Sequence, residues 1–309
     1  MILEICPNPS RDCTLELDSL NVGRLNRIRN KVETYSGKAL NVAIGVSRLG
    51  ASSFVTGFMF ENGAKQFEER LKNENVRYQF VYNKGSVRVN YKIIDNRSML
   101  TELNDKGDEV SREKQLQLIS TIKDLSRLAN IVVMNGSLPK GVDSSFYGEV
   151  LSVIPEGVKI IVDTEKDNLK SAMTRELYLI KPNLTELEDV AGVKLYTKKE
   201  IINAANKLVE QGVKNVLVSL GADGAIITNG KEAYYCKSVN VAVNSTVGAG
   251  DSMVAAAAVQ IEKGASIQEI LRCAVSSGTA SITTPGTNLF YKDKYEEIYN
   301  SLTVEKINI

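Results

Sequence analysis

The stretch Asn244-Ser-Thr-Val-Gly-Ala-Gly-Asp251 runs directly into a second stretch of small residues, Ser252-Met-Val-Ala-Ala-Ala-Ala-Val259. Residues without bulk let the backbone approach an anion closely, and the second stretch predicts a helix whose positive end lies at the same place. The candidate anion hole consists of Gly248, Ala249 and Gly250. Asp251 stands beside it as a candidate base, an arrangement that phosphoryl transfer requires. The alternative is that Asp251 only caps the helix.

Composition places the chain among folded globular enzymes. Of its 309 residues, 43% are hydrophobic and 24% are charged, and the formal net charge is +1. That share of apolar residues predicts a single large domain over residues 1–309, and the balanced charge predicts neither a nucleic-acid nor a membrane partner. The first residues, Met1-Ile-Leu-Glu-Ile-Cys-Pro7, predict a strand and not a signal peptide, so we expect a cytoplasmic protein.

The absence of histidine from the sequence excludes several classes of enzyme. Ser-His-Asp hydrolysis, Cys-His proteolysis, His-ligated zinc and phosphohistidine chemistry all need that side chain. Acid–base catalysis must therefore fall to Asp, Glu, Lys, Tyr or Cys. The four cysteines form no C-x-x-C pair, so we expect them to be buried or incidental thiols.

Apolar runs typical of buried parallel strands alternate with amphipathic segments typical of helices. The predicted strands are 131–134, 159–162, 178–180 and 216–219. The predicted helices between them are 112–128, 197–211 and 267–276. This alternation predicts an α/β fold in which helices cover both faces of a parallel sheet.

Two segments, about 13–32 and 85–101, instead alternate polar and apolar residues around turn signals. Such alternation is typical of antiparallel strands with one wet face, so we expect a small antiparallel β lid over a substrate cleft. An apolar face on this lid would pair with a copy of itself and form a homodimer. The candidate residues for that face are Leu15, Leu17, Val87, Val89 and Tyr91. The alternatives are an edge extension of the sheet and packing of these side chains onto their own core.

Three features near the first strand and the lid are candidate contacts for a sugar or a phosphate. Ser36-Gly-Lys-Ala-Leu-Asn41 offers close backbone approach, a cation and an amide. Asp12 follows the first strand, where α/β sheets bind ligands, and Arg88 lies in a predicted lid strand. Each has a plainer interpretation, namely a surface lysine beside a glycine turn, a solvated turn aspartate and a surface arginine.

Two features further along the chain are candidate contacts for a nucleotide. Lys181-Pro-Asn-Leu-Thr-Glu186 follows a predicted strand and offers Glu186 to the metal of a nucleotide, directly or through water. Ser219-Leu-Gly-Ala-Asp-Gly224 is suited to phosphates or ribose. The plainer interpretations are an acidic first helical turn and a hairpin turn. Neither a Walker A motif nor a protein-kinase motif is present, so a phosphotransferase must use another scaffold.

Taken in order, these motifs resemble the PfkB-type carbohydrate kinases, which have the ribokinase-like fold, and the resemblance covers essentially the whole chain. The segments that carry it are Asn8-Pro-Ser-Arg-Asp12, Gly37-Lys38, Asn41-Val-Ala43, Arg88-Val-Asn-Tyr-Lys-Ile93, Thr101-Glu-Leu-Asn104, Gly136-Ser-Leu-Pro139 with Gly141, Lys181-Pro-Asn183 with Glu186, Ser219-Leu-Gly-Ala-Asp-Gly224, and Val247-Gly-Ala-Gly-Asp-Ser252. Within the family, the likeness is greatest to 1-phosphofructokinases and tagatose-6-phosphate kinases. Ser36 and Ala39 depart from the family pattern, which usually has glycines there.

The resemblance implies a role for each matching residue. It makes Asp251 the base, lets Lys38 and Arg88 hold a sugar phosphate, and gives Glu186 the Mg²⁺ ion, through water. The implied sugar-binding residues are Asp12, Gly37, Lys38, Asn41, Arg88, Asn90 and Ser137. The implied nucleotide-binding residues are Lys181, Asn183, Ser219, Gly221, Asp223, Gly224 and Ser277.

The resemblance also implies an activity, which is the ATP- and Mg²⁺-dependent phosphorylation of a ketohexose monophosphate. The leading substrate is D-fructose 1-phosphate, which would give fructose 1,6-bisphosphate. The alternative is tagatose 6-phosphate, which would give tagatose 1,6-bisphosphate. Two further hypotheses are a kinase of an unphosphorylated sugar or nucleoside, and a sugar-binding regulator that kept the fold and lost activity.

Overall fold

Strands and helices alternate along most of the part of the chain that the computed structural model describes, residues 1–97, 99–164, 166–285 and 288–308. The strands are β1 (Ile2–Cys6), β2 (Ser10–Glu16), β3 (Asn30–Ser36), β4 (Ser53–Asn62), β5 (Arg77–Ser86), β6 (Arg88–Ile94), β7 (Leu100–Asn104), β8 (Ile131–Asn135), β9 (Lys159–Asp163), β10 (Leu179–Ile180), β11 (Val216–Ser219), β12 (Ala225–Thr228), β13 (Ala233–Cys236) and β14 (Val304–Ile307). The helices are α1 (Lys38–Arg48), α2 (Ala64–Asn73), α3 (Arg112–Ser126), α4 (Ser145–Ser152), α5 (Lys166–Ala172), α6 (Leu184–Ala191), α7 (Lys198–Glu210), α8 (Ala249–Glu262), α9 (Ile267–Ser281) and α10 (Lys292–Ser301).

One large sheet carries the core, in the order β14-β13-β12-β11-β10-β9-β8-β1-β4-β5. Its strands from β11 to β5 run parallel to their neighbours, whereas β12, β13 and β14 extend it antiparallel. Every residue of β1 and β8 is buried, so both faces of the sheet are covered. The predicted α/β fold is confirmed, and the predicted strands and helices correspond to observed ones within a few residues.

The two predicted lid segments form a second sheet of four strands, in the order β3-β2-β6-β7, which we call the lid sheet. β2 with β3 and β6 with β7 are antiparallel pairs, as predicted. The two central strands, β2 and β6, run parallel to each other. Residues 85 and 86 belong to β5 of the large sheet, and Ser98, within the predicted range, lies outside the described residues.

The apolar surface that the lid exposes differs from the predicted one. Leu17 is 3% exposed and Val87 is 7% exposed, so both pack within their own chain, as the alternative interpretation held. Of the five candidates, Tyr91 is exposed. The prediction of strands from alternating residues was correct, but alternation does not show which face of the strands the rest of the chain covers. Among the described residues, no helix combines the length and apolar character that crossing a membrane demands.

Candidate active site

A cavity of about 610 Å³ lies beside the carboxyl ends of the central parallel strands. β1 sits between β4 and β8, so the chain reverses its direction of travel across the sheet at this strand, which is where open α/β sheets bind ligands. Most of the predicted site residues line this cavity. They are Asp12, Gly37, Lys38, Asn41, Arg88, Asn90, Ser137, Lys181, Asn183, Glu186, Ser219, Gly248, Gly250 and Asp251.

A second cavity, of about 270 Å³, adjoins the first. Ser219 and Gly250 line both cavities, so the anion-hole turn stands at their junction. The second cavity is also lined by the predicted residues Gly221, Gly224 and Ala249. Two cavities that meet at a helix N-terminus are suited to two ligands that exchange an anionic group.

The predicted anion hole is the first turn of α8. Gly248 precedes the helix with φ 85°, in the left-handed region, which glycine adopts without steric cost. No side chain caps this helix at Gly248. The backbone N–H groups of a first helical turn have no intrahelical acceptors, so the turn can donate to an anion. Asp251 therefore does not serve as the helix cap.

The carboxylate of Asp251 is held by an amide from another helix. Asn41 donates from Nδ2 to Asp251 Oδ2 over 2.8 Å, and the Asp251 residue is only 7% exposed. α1 and α8 pack closely here, because an added Cβ at Gly45 would lie 2.7 Å from the Cβ of Ala255. This packing joins the two helices that carry the candidate base and its orienting partner.

Burial raises the pKa of Asp251 to about 6. Lys38, the hydrogen bond from Asn41 and Lys181 lower that pKa, whereas Asp163 raises it. A carboxyl with a pKa near 6 is ionised at neutral pH and is more basic than an ordinary aspartate. Both properties are those of a general base.

Asp163, a buried carboxylate to which the sequence interpretation gave no role, contacts two predicted lysines. Lys38 Nζ lies 3.3 Å from Asp163 Oδ2, and Lys181 Nζ lies 3.4 Å from Asp163 Oδ1. Lys181 also borders the anion hole, since an added Cβ at Gly250 would lie 3.3 Å from its Nζ. The position of Asp163 at the end of β9 was an available signal, because ligands bind at the ends of parallel strands.

Asp12 is the centre of a second polar cluster, on the lid side of the cavity. Its carboxylate accepts hydrogen bonds from Ser10 Oγ (3.0 Å), Asn90 Nδ2 (3.2 Å) and Lys92 Nζ (3.0 Å). Lys92 was not predicted, although its position two residues after Asn90 places both on one face of β6. Asp12 is therefore not a solvated turn residue.

Several buried polar atoms that face the cavity have no partner among the described residues. They are Asn8 Oδ1, Asn90 Oδ1 and both Asn135 side-chain atoms. A buried polar group without a hydrogen bond costs on the order of 1–3 kcal/mol, so such groups mark places where a polar ligand would bind. The sequence interpretation did not include Asn8 or Asn135 as side-chain contacts.

Arg88 is anchored to the loops that join the lid to the core. Its three guanidinium nitrogens donate to the carbonyl oxygens of Asn8 (3.2 Å), Pro9 (3.4 Å) and Asp105 (3.1 Å). Arg88 and Lys38, which were predicted to share one phosphate, thus contact different groups.

On the side of the cavity predicted to bind a nucleotide, Asn183 and Glu186 form a capping box at the start of α6. Asn183 Oδ1 accepts from the backbone N–H of Glu186, and a Glu186 carboxylate oxygen accepts from the backbone N–H of Asn183, each over 2.8 Å. The helix-start interpretation is correct, and the same bond fixes Glu186 at the cavity wall. No cluster of three potential metal ligands exists in residues 1–97, 99–164, 166–285 and 288–308. One carboxylate suits a Mg²⁺ ion that arrives on nucleotide phosphates and keeps its waters.

Two predicted nucleotide contacts do not line either cavity. Ser277 is fully buried, and its hydroxyl lies 2.9 Å from the carbonyl oxygens of both Ser252 and Ala274, so it ties α9 to α8. Asp223 is exposed in a short 3₁₀ turn between β11 and β12. These strands are antiparallel, so the hairpin-turn interpretation of this segment is correct. Gly221 and Gly224 of the same turn do line the second cavity.

Comparison with known proteins assigns this chain to a family. The family described as "pfkB family carbohydrate kinase" matches residues 9–294. The chain is 32% identical to the 1-phosphofructokinase of Borreliella burgdorferi over 91% of each chain, and 28% identical to the tagatose-6-phosphate kinase of Staphylococcus epidermidis over 99% of this chain and 100% of that one. The phosphofructokinase-2 of Escherichia coli in complex with substrates and products is 27% identical, with a TM-score of 0.90 over 97% of this chain and 98% of that one. The chain belongs to the pfkB family of carbohydrate kinases.

Proposed function

We propose that this kinase transfers a phosphoryl group from ATP to a ketohexose monophosphate, with D-fructose 1-phosphate as its leading substrate and fructose 1,6-bisphosphate as product. One observation carries the proposal: the carboxylate of Asp251, oriented by Asn41, lines the first cavity directly after Gly250, the anion-hole residue that lines both cavities. Tagatose 6-phosphate is the second candidate, supported by a tagatose-6-phosphate kinase that matches nearly the whole chain.

The polar cluster on the lid side supports the sugar end of this proposal. Asp12 offers its carboxylate to sugar hydroxyls, and the unpaired atoms of Asn8, Asn90 and Asn135 would gain partners from them. Arg88 would bind the phosphate that the substrate already carries, because a guanidinium matches phosphate geometry. Ser137, in the loop that follows β8, also lines the cavity.

The second cavity supports the nucleotide end. Ser219, Gly221 and Gly224 would lie along the nucleoside, and Lys181 and Asn183 along its phosphates. Glu186 would hold Mg²⁺ through water, and the ion would supply charge neutralisation on those phosphates. Asp251 would take the proton of the free hydroxymethyl group as that oxygen attacks the terminal phosphorus. A cytoplasmic location is part of the proposal, since ATP is supplied there.

Steady-state kinetics with three phosphosugars test the proposal directly. Fructose 1-phosphate, fructose 6-phosphate and tagatose 6-phosphate are compared by ADP release under identical conditions, with unphosphorylated fructose as the control. We expect the highest kcat/KM with fructose 1-phosphate. Preference for tagatose 6-phosphate would select the second candidate. Preference for fructose would indicate a kinase of free sugars. If no sugar caused ADP release, the protein would be a sugar-binding regulator without kinase activity.

The pKa of Asp251 predicts a pH dependence. The reaction needs the ionised carboxylate, so kcat should fall in the acid range, approaching a tenfold loss per pH unit below the pKa that Asp251 has in the substrate complex; in the free enzyme that pKa is about 6. The substrate's own phosphate also titrates near pH 6, so kcat at saturating substrate is the quantity to follow. A kcat that stays constant from about pH 7 to pH 5 would contradict the assignment of Asp251.

The lid sheet is proposed to close over the sugar. Its inner strands carry Asp12, Asn90 and Lys92 into the cavity wall, so a bound sugar would tie β2 and β6 to the core. We expect hydrogen exchange of residues 10–16 and 88–94 to slow when phosphosugar and a nucleotide are both bound. Helix α3 serves as the internal reference. Equal protection of the lid in the free and bound enzyme would mean that it is static.

A homodimer through the lid is proposed from side chains that the lid leaves exposed. The exposed apolar residues are Val22, Leu25, Ile28, Val32, Tyr91, Met99, Leu100 and Leu103. One solved relative, the phosphofructokinase-2 of Escherichia coli, has a tetrameric inhibited form. We expect light scattering at micromolar concentration to give a dimer, and Leu103→Asp, on β7, to give a monomer. The matched control is Leu128→Asp, at a site 71% exposed after α3, which should remain dimeric.

A further inference from the structure

Asp163 joins two lysines that come from opposite ends of the candidate site. Lys38 is the first residue of α1 and follows the glycine turn on the sugar side. Lys181 follows β10 and lies on the nucleotide side. Each ammonium group contacts a different oxygen of the Asp163 carboxylate, at 3.3 and 3.4 Å. The arrangement therefore brings two cations together at one point of the cavity.

Lys38, Lys181 and Asp163 together carry one net positive charge, which the neighbouring Asp251 carboxylate offsets until it takes up a proton. The Asp163 side chain is 2% exposed, and burial opposes its ionisation, yet Lys181 and Lys38 hold the pKa of Asp163 below its usual value. The carboxylate raises the pKa of Lys38 in turn. Two ammonium groups share one buried carboxylate, so Asp163 holds both cations in place in the cavity wall.

The cluster lies beside the anion hole and the candidate base. Lys181 Nζ would lie 3.3 Å from a Cβ added at Gly250, in the anion hole. After Asp163, the carboxylates of Asp251 and Glu186 also raise the pKa of Lys38. In a ketohexose monophosphate, the existing phosphate is at the opposite end of the carbon chain from the hydroxyl that Asp251 would deprotonate. This arrangement favours Lys38 as a contact of the transferring group over a contact of the existing phosphate.

We propose that Asp163 is a positioning residue that presents Lys38 and Lys181 together to the phosphoryl group in transit, an inference that rests on the proposed kinase function. In that step the sugar oxygen forms a bond to the terminal phosphorus of ATP, and the bond from this phosphorus to the bridging oxygen of ADP breaks. The hydroxyl proton goes to Asp251, and ADP leaves with the bridging electron pair. The two ammonium groups stabilise the charge on the transferring phosphoryl oxygens.

Nucleotide binding tests this inference without any sugar. The affinities of the enzyme for MgADP and for a magnesium complex of a non-hydrolysable ATP analogue are measured by calorimetry in the wild type and in Lys38→Met. We expect the variant to lose tenfold or more in affinity for the triphosphate analogue, with ADP affinity changed less than about twofold, because only the analogue carries the terminal phosphoryl group. An unchanged ratio of the two affinities would overturn the inference. The Lys38 side chain is 45% exposed, so this variant should fold.

The kinetic test separates the two ends of the site. Lys38→Met should lower kcat about 100-fold, in the range seen when a transition-state contact is removed, with KM for the phosphosugar changed less than about threefold. A tenfold rise in that KM at unchanged kcat would instead make Lys38 a clamp for the sugar phosphate. If wild-type enzyme turned over no phosphosugar while the nucleotide result held, the proposed function would fall and the role of Lys38 would stand.

The pH profile gives a signature that a purely structural role would not produce. The groups that act on Asp251 are Lys38, Asn41, Asp163 and Lys181. Lys38 lowers the pKa of Asp251 and Asp163 raises it, so the acid limb of kcat should move to higher pH in Lys38→Met and to lower pH in Asp163→Asn. Limbs that move in the same direction in both variants, or in neither, would contradict the arrangement. If Asp163→Asn does not fold, the shift in Lys38→Met decides alone.

Discussion

Asp251→Asn should lower kcat by about 10² to 10⁴ while ATP binding and the fold remain nearly intact. Asparagine has the shape of aspartate and still offers an oxygen to Asn41 Nδ2, which lies 2.8 Å from the native carboxylate. The amide cannot accept the proton of the sugar hydroxyl at neutral pH. The substitution therefore removes stabilisation of the transition state and leaves substrate binding unchanged. Steady-state kinetics with saturating MgATP and phosphosugar measure the loss.

Glu4→Gln is the matched control for this substitution, because Glu4 is another buried carboxylate that does not line the cavity. Glu4 is fully buried in β1, and one of its oxygens accepts from Ser53 Oγ over 2.9 Å. We expect this variant to keep near-wild-type kcat. Turnover of Asp251→Asn within a few-fold of the wild type would remove Asp251 from the mechanism, provided that thermal unfolding confirms that both variants are folded.

Local sequence was enough to predict the anion-hole turn, because its glycines, the helix behind it and the aspartate are consecutive. The bond between Asn41 and Asp251 joins residues 210 positions apart, and no local pattern contains it. It depends on how closely α1 approaches α8, which in turn depends on Gly45 and Ala255. Distances of that kind depend on tertiary packing, which sequence patterns do not specify.

The polar residues that the sequence interpretation missed fall into two groups. Lys92 and Asp163 carried usable signals, since one shares a strand face with Asn90 and the other ends a parallel strand. Asn8 and Asn135 carried weaker ones, because a buried asparagine is recognised as a ligand contact only when its unpaired atoms are seen. Burial is decided by the whole fold, and that information is absent from a local motif.

The lid illustrates a different limit. Alternation of polar and apolar residues predicted its strands, but the parallel pairing of β2 with β6 joins strands from separate segments. Pairing of that kind depends on how the two hairpins meet on the core, and a period of two does not encode it. For the same reason the residues predicted for the apolar face included Leu17 and Val87, which the chain itself covers.

Arg88→Ala should raise KM for the phosphosugar about ten- to a hundredfold and change KM for ATP little. A hydrogen bond to a charged group contributes about 1.5–3 kcal/mol, which is the size of this change in affinity. The carbonyl oxygens of Asn8, Pro9 and Asp105 each accept one bond from the guanidinium, so they fix its plane and leave further N–H groups for a phosphate. Burial lowers the pKa of Arg88, but arginine keeps its charge at neutral pH.

Two companion variants make the measurement of Arg88 specific. Arg88→Lys keeps the charge and loses the planar fork, so it should recover only part of the affinity for the phosphosugar. Arg112→Ala removes an arginine that pairs with Glu149 on the surface, and it should leave both KM values unchanged. If Arg88→Ala raised KM for ATP and phosphosugar alike, its effect would come from disturbing the junction of lid and core. If it affected only the phosphosugar, while Lys38→Met affected only kcat, the two cations would act at opposite ends of one substrate.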